Sequence, residues 1–328
     1  MKVTTKDLAK ICGVSRTTVT RALHGTGRIS EETRSMILEK ARELGYQPDL
    51  AARSLVVGKS MMLGVTIVDL NNMYFPSIVD AIEKRAREED YILTITLHED
   101  SRELERKLIH TLVSHRADGL ILNPVNKGED FWRMMKNISI PYCILGLKEM
   151  EGCASVGVDE FRAGQAATEF ILQKGYRDIV FVAPQLFNDL GLPNYGHYKR
   201  WLGVQDVTSK AACRCRLIKG LDFCEQVSDM LAKQDGERIA FLCSGAVYAA
   251  DVMRNVAVRG FKPLVDYGIM AFDRVDIYRY NELTLTTVDN HTELQGYQAC
   301  DLLIKMIKGT QTNTQIEIPF DIVRGQTL

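Results

Sequence analysis

The stretch that decides how this chain is read is GVSRTTVTRALHGTGRIS, Gly13 to Ser30. Ser15 is of helix-capping type, so a helix starts after it. Val19, Ala22 and Leu23 fall on one side of that helix, and Arg16, Thr17, Thr20 and Arg21 largely on the other. Upstream, Thr4 and Asp7 stand at capping-box spacing and open a first helix through Leu8 and Ile11, which Gly13 ends. Downstream, Ser30 opens a third helix, with Ile37, Ala41 and Leu44 expected to face inward and Gly45 to stop it. Two short helices joined by the tight CGVS turn and braced by a third make a helix-turn-helix, whose second helix fits the major groove of double-stranded DNA. Arg donates two parallel hydrogen bonds to guanine, and Thr bonds a base or touches a thymine methyl, so Arg16, Thr17 and Arg21 are the expected base readers. Thr4, Ser15, Thr18 and Thr20 suit capping or phosphate contact, which orients without reading sequence. The same three helices also suit a plain interaction module.

Charge separates the head from the rest. The chain of 328 residues carries a net charge of -1, yet residues 1–60 hold eleven Lys/Arg against six Asp/Glu, and the remainder is correspondingly acidic. A basic head on an acidic body is what a chain shows when only its first segment faces a polyanion, although a solvated helical face has the same composition. Residues 1–25 lack the apolar core of an export signal, and no later run approaches the ~20 apolar residues that span a bilayer, so the expected location is the cytoplasm. The eight cysteines are scattered and form no C-x-x-C, and His110 and His115 miss the i,i+4 spacing of two ligands on one helix. Buried free thiols and no metal or cofactor are expected.

Beyond the head, QPDLAARSLVVG opens with the helix-breaking Pro48 and closes with Gly58. Ala51 to Val56 are too few to hold a helix unaided, so this segment folds only against a partner. From Leu63 onward, apolar runs (LGVTIV, YILTITL, GLILN, YCILGL, DIVFVA, RIAFLC and YGIMAF) alternate with helical stretches such as SIVDAIEKRAREED. Repeated βαβ units imply parallel sheets covered on both faces. About 268 residues exceed one comfortable core, and the scheme restarts near Asp159, so two doubly wound lobes are expected with a ligand cleft beyond their strand ends.

The run TTKDLAKICGVSRTTVTRALHGTGRISEETRSMILEKARELGYQPDLAARSL, residues 4–55, resembles the DNA-binding head and hinge of the lactose-repressor (LacI) family of bacterial transcription regulators. The likeness continues, more weakly, through SVGVDEFRAGQAATEFILQKGYRDIVFV and GIMAFDRVDIYRYNELTLTTVDNHTELQG. It implies an α/β chain with an all-α head over 1–46, a hinge over 47–60 and a periplasmic-binding-protein-like core over 61–328. Within the core it implies an N-lobe of 61–160 and 291–319 and a C-lobe of 161–290 and 320–328. The family's recognition positions fall on Arg16, Thr17 and Arg21. The hinge leucine that wedges into the operator's minor groove falls on Leu55, beside Ala52 and Arg53. Effector-binding roles fall on Tyr74, Phe75, Asn123, Arg200, Phe223 and Asp273. Three positions depart from the family pattern: Ser244-Gly245 replaces an Asn-Asp pair, Asn290 replaces a Gln, and Val204 replaces an aromatic. Ser244 and Asn290 therefore present shorter or fewer hydrogen-bonding arms.

Each of these positions has a second reading. Arg200 and Asp273 also suit a structural ion pair, and Phe223 a core residue. No Leu-rich heptads follow the last strand, so a homodimer on a palindromic operator is expected, controlled by a sugar, sugar derivative or nucleoside. A solute-binding protein without DNA output is the alternative. An enzyme is disfavoured, because the sequence holds no P-loop, nucleophile elbow or metal cluster and no catalytic residue is assigned.

Overall fold

The computed structural model describes residues 3–46, 58–71, 73–146, 152–187, 191, 193–234, 236–274, 283–312 and 314–328. The chain divides into two compact units, Met1–Ser60 and Met61–Leu328.

The first unit holds α1 (Thr5–Ile11), α2 (Arg16–His24) and α3 (Glu31–Glu43). Each start is capped by the side chain expected from sequence. Thr4 and Asp7 form a reciprocal capping box, Ser15 Oγ accepts from the Thr18 amide at 3.1 Å, and Ser30 Oγ accepts from the Thr33 amide at 3.3 Å. Gly13 (φ 67°) and Gly45 (φ 62°) take the left-handed backbone conformation that turns the chain after α1 and α3. A small core of Leu8, Val19, Ala22, Ile37 and Ala41 closes the unit. Leu44, expected inside, is 38% exposed. Helix α3 ends at Glu43, so Leu44 sits in the cap, where the inward-facing period no longer applies, and Tyr46 packs on the core instead.

Among the described residues the second unit contains two six-stranded sheets. The N-lobe sheet uses β1 (Met62–Ile67), β2 (Ile92–Leu97), β3 (Gly119–Leu122), β4 (Tyr142–Leu145), β5 (Ala154–Gly157) and β11 (Gln315–Glu317), in the order β11-β5-β4-β3-β1-β2, all pairs parallel. The C-lobe sheet uses β6 (Asp178–Val182), β7 (Arg214–Ile218), β8 (Ile239–Cys243), β9 (Tyr267–Phe272), β10 (Thr286–Asp289) and β12 (Asp321–Val323), in the order β12-β10-β9-β8-β6-β7, with β12 alone antiparallel. This is the doubly wound, two-lobed α/β architecture. Central strands such as β8 and β9 are buried throughout, while β2 at a sheet edge is half-exposed.

The helices of this unit are α4 (Tyr74–Arg87), α5 (Arg102–Ser114), α6 (Glu129–Lys136), α7 (Glu160–Gln173), α8 (Tyr195–Lys210), α9 (Phe223–Ala232), α10 (Ala246–Ala257) and α11 (Thr292–Ile307). The chain passes from lobe to lobe three times: between β5 and α7, between β10 and α11, and between β11 and β12. A close helix pair braces each lobe through glycine. A Cβ on Gly296 of α11 would stand 2.3 Å from the Ile78 carbonyl of α4. On Gly164 of α7 it would stand 2.3 Å from the Arg200 carbonyl of α8, and on Gly203 of α8, 2.1 Å from the Phe161 carbonyl of α7. The contact between α7 and α8 fixes where Glu160 and Arg200 meet.

Five strands fall outside the apolar runs picked out by sequence. β5 (ASVG) and β11 (QIE) are short and partly polar, β7 (RCRLI) mixes arginine with apolar residues at an edge, and β10 and β12 are three or four residues long. All eight cysteines are free; Cys143, Cys153, Cys243 and Cys300 are buried, whereas Cys12, Cys213, Cys215 and Cys224 are only half-buried, contrary to the expectation for all eight. Among the described residues no helix is long and apolar enough to cross a membrane, and no group of His, Cys, Asp and Glu is arranged to hold a metal ion.

Candidate functional sites: a helix face and an interlobe cavity

The head presents α2 outward. Arg16, Thr17, Thr20 and Arg21 are exposed while Val19 and Ala22 are buried behind them. Arg16 Nε donates to Thr5 Oγ1 at 3.1 Å, which ties the start of α2 to the start of α1. The Arg21 stem lies against Gly27, where a Cβ would stand 2.9 Å from Arg21 Cδ. The hydroxyls expected at the DNA backbone are engaged within the head. Thr4 Oγ1 donates to Asp7 at 2.6 Å, Thr20 Oγ1 donates to the Arg16 carbonyl at 3.0 Å, and Ser15 Oγ and Thr18 Oγ1 lie 2.8 Å apart. Donation to a phosphate from Thr4 or Thr20 requires exchanging one of these local bonds. The hinge residues Ala52, Arg53 and Leu55 lie outside the described residues.

In the second unit a cavity of about 720 Å³ opens between the lobes, beyond the C-terminal ends of the parallel strands. Tyr74, Phe75, Asn123, Arg200 and Asp273 line it. Its polar centre is Arg200, buried on α8. Arg200 Nε donates to Glu160 Oε2 at 2.6 Å and Nη1 to the Ser244 carbonyl at 2.6 Å. Nη2 donates to Glu160 Oε1 at 3.0 Å and to Asp273 Oδ1 at 3.3 Å. The Phe272 ring lies 4.5 Å from the guanidinium carbon. Arg200 and Asp273 therefore do form an ion pair.

Three predicted positions do not reach the cavity surface. Ser244 follows β8, is fully enclosed, and contributes its carbonyl rather than its hydroxyl. Asn290 follows β10 and donates Nδ2 to Asp273 Oδ1 at 2.8 Å, which holds the aspartate from behind. Phe223 begins α9 and packs in the C-lobe core, edge-on to Tyr248 with ring centroids 5.8 Å apart, so that Tyr248 forms the wall in its place.

A chain of hydrogen bonds runs on from Asp273 into the other lobe. Gln295 Nε2 on α11 donates to the Asn290 carbonyl at 2.7 Å, and Tyr74 Oη on α4 donates to Gln295 Oε1 at 3.3 Å. Tyr74 and Arg200 thus lie in different lobes but in one network. Asp273 sits at φ 68° and His291 at φ 48°, both left-handed, and such backbone costs about 1–3 kcal/mol where a non-glycine residue adopts it. Both flank the β9 and β10 ends at which this network crosses.

Burial shapes the titration of the site. It raises the Glu160 carboxyl, against the pull of Arg200. Burial also works against the Arg200 charge, but Asp273 and Glu160 overcome it and hold the guanidinium above its ordinary value. Tyr74 is raised by burial, then by Glu160 and Asp273, so its phenol stays a donor. Burial, then Arg200, lowers the His197 imidazole to about 3, which keeps it neutral. His98 Nε2 lies 2.9 Å from the Asn123 carbonyl, and a carbonyl only accepts, so Nε2 is the donor in this bond. Aromatic faces from Trp132, Phe187, Tyr195 and Tyr248 complete the wall.

Glu160, Gln295, His197 and Tyr248 were not singled out from the sequence. Glu160 had a local signal: it follows Asp159, whose side chain caps α7 where the chain enters the second lobe. Its partner lies forty residues away, and no spacing pattern links them.

Residues 4–49 match the description "Bacterial regulatory proteins, lacI family". Residues 60–190 match "Periplasmic binding proteins and sugar binding domain of LacI family", and 168–328 match "Periplasmic binding protein-like domain". The chain is 27% identical to the HTH-type transcriptional regulator MalR of Streptococcus pneumoniae, over 96% of each chain. It is 24% identical to the HTH-type transcriptional repressor PurR of Vibrio atlanticus, over 99% of this chain and 98% of the repressor. The fold is shared with the Lac repressor dimer bound to operator and the anti-inducer ONPF, at a TM-score of 0.87 and 22% identity over 100% of this chain and 99% of that one. With head and core matched in the same order along the chain, and relatives aligned over nearly their whole length, the protein belongs to the lacI family of bacterial regulatory proteins.

Proposed function

We propose that this DNA-binding transcription regulator works as a homodimeric repressor on a palindromic operator, and that a sugar, sugar derivative or nucleoside in the interlobe cavity sets its operator affinity. Arg16, Thr17 and Arg21 read bases; Thr4, Ser15, Thr18 and Thr20 serve the DNA backbone; Ala52, Arg53 and Leu55 enter the minor groove. Tyr74, Phe75, Asn123, Arg200 and Asp273 contact the effector, with Ser244, Asn290 and Phe223 supporting them from behind. The protein acts by binding rather than catalysis, in the cytoplasm and on the nucleoid when bound.

The observation that carries the effector role is the hydrogen-bonded chain from Tyr74 through Gln295 and Asn290 to Asp273 and Arg200. A ligand bonded to Asp273 and packed on Tyr74 touches both ends of a network that spans the lobes, so its binding energy depends on their relative orientation. That dependence is what couples a ligand to a distant DNA site.

Gel shifts over a library of palindromic sites, repeated across salt concentrations and with a panel of sugars and nucleosides, test the proposal. The expected result is sequence-selective binding that falls steeply with salt and changes with one ligand class. Arg16→Ala or Arg21→Ala should each lose about 1–3 kcal/mol and relax preference at one operator position. Uniform weakening across all sequences would instead mark these arginines as phosphate contacts.

A further inference from the structure

We infer that Glu160 is a built-in anion filling the Arg200 fork, so that the cavity selects neutral or amine-bearing polyhydroxyl effectors and rejects carboxylates and phosphates. The inference rests on the cavity being the effector site.

A guanidinium has five N–H donors, and its Nε/Nη2 edge is the one that takes a carboxylate or phosphate side-on with two parallel bonds. Here Glu160 occupies that edge with both oxygens, at 2.6 and 3.0 Å. The second Nη2 proton goes to Asp273, and one Nη1 proton to the Ser244 carbonyl. One donor of five is left for a ligand. An acidic effector would have to expel Glu160 from a buried, bidentate contact before it could use this arginine.

Charge points the same way. At the polar centre two carboxylates face one guanidinium. Around the described cavity wall, Asp69, Glu99 and Asp100 add to them, against Arg102 and Lys127. Five carboxylates thus stand against three arginine or lysine groups, with His197 held neutral. A ligand anion entering this space meets like charge, strongly at the enclosed Glu160 and Asp273, and more weakly at Glu99 and Asp100, which are exposed.

Beside the one Arg200 donor and the buried Arg102 Nε, the positions left open include acceptors. Asp273 Oδ1 receives Arg200 and Asn290, while Oδ2 accepts no hydrogen bond among the described residues. His98 Nδ1 is buried without a partner there, while Nε2 is taken up by the Asn123 carbonyl. Acceptors are satisfied by hydroxyl and ammonium groups. The aromatic faces of Tyr74, Trp132 and Tyr248 suit the apolar face of a sugar ring beside those groups.

The test uses the full chain with Glu160→Ala, Glu160→Gln and Glu160→Ala/Arg200→Lys variants, and inorganic phosphate as probe at constant ionic strength. Binding is read by calorimetry and by the unfolding midpoint. Glu160→Ala should bind phosphate at least roughly tenfold more tightly than wild type, as a freed charge-assisted contact allows, and Arg200→Lys should remove the gain. Glu160→Gln, which keeps a hydrogen-bonding side chain at the fork without its charge, should show a smaller gain of the same sign, and it serves alone if the alanine variant does not fold. Equal phosphate binding by wild type and variants, or no gain in either variant, overturns the inference. In wild type, glucose and glucosamine should stabilise more than glucuronate or glucose 6-phosphate, and the reverse order overturns it too. If no sugar of any charge stabilises wild type while Glu160→Ala still gains phosphate, the plugged fork stands and the effector reading of the cavity falls.

Discussion

The head and the core use their polar residues in opposite ways. On α2 the chemistry faces water: Arg16, Thr17 and Arg21 are exposed, and a core of five small or aliphatic side chains does little more than hold them in place. In the core the chemistry is enclosed: Arg200 is buried, and Glu160, Asp273, Ser244 and Asn290 all bond to it or to one another. An exposed cation can be removed at little cost in folding, because water replaces its partners. A buried one leaves its carboxylates stranded. The first region is therefore a surface for recognition, and the second couples ligand binding to structure.

The strongest way to break this comparison is Arg200→Ala. Glu160 and Asp273 would lose their shared cation inside the protein, and the core should lose about 3–5 kcal/mol, measured by denaturant unfolding. A loss under about 1 kcal/mol would place the triad effectively in solvent.

Leu8→Ala tests the other region. This residue is fully buried in a minimal core, so about 2–5 kcal/mol should be lost, enough to unfold the head. Operator binding should vanish in gel shifts while the core keeps its unfolding midpoint and ligand response. A parallel fall in core stability would show that the two units do not fold separately.

A third effect, spread over a pH range and gentle at any one pH, sharpens the picture of enclosure. His197 titrates at about 3 in the folded chain against 6.5 when unfolded. The unfolded chain takes up that proton first, so the stabilising contribution is complete above 6.5 and is lost as pH falls from there toward 3. The slope is at most about 1.4 kcal/mol per pH unit. His197→Gln should flatten the acid limb of the stability profile over that window. An unchanged slope would mean the imidazole is solvated.

The same contrast explains what could be read from sequence. Caps and stops act within four residues, so Thr4, Asp7, Ser15, Ser30, Gly13 and Gly45 announced the head, and Leu44 misled only because the helix ends one residue before it. Long apolar strands such as β1, β8 and β9 declared the parallel sheets. The cavity wall depended on partners far apart in the chain. Arg200 and Asp273 were placed in the cleft by the resemblance to the family, but Glu160 becomes the partner of Arg200 only because Gly164 and Gly203 let two helices touch. Phe223 stands one layer too deep because Tyr248 intervenes, which no periodicity reports.

The threefold passage of the chain between lobes bears on how the protein is made. Strand β11 completes the sheet edge beside β5, and β12 the edge beside β10, and both arrive only with residues 315–323. The head can collapse as soon as its three helices leave the ribosome. Each lobe must wait with an open, hydrogen-bond-hungry strand until residues 315–323 have been synthesised, an interval in which nascent chains are most prone to pair wrongly or to be captured by chaperones.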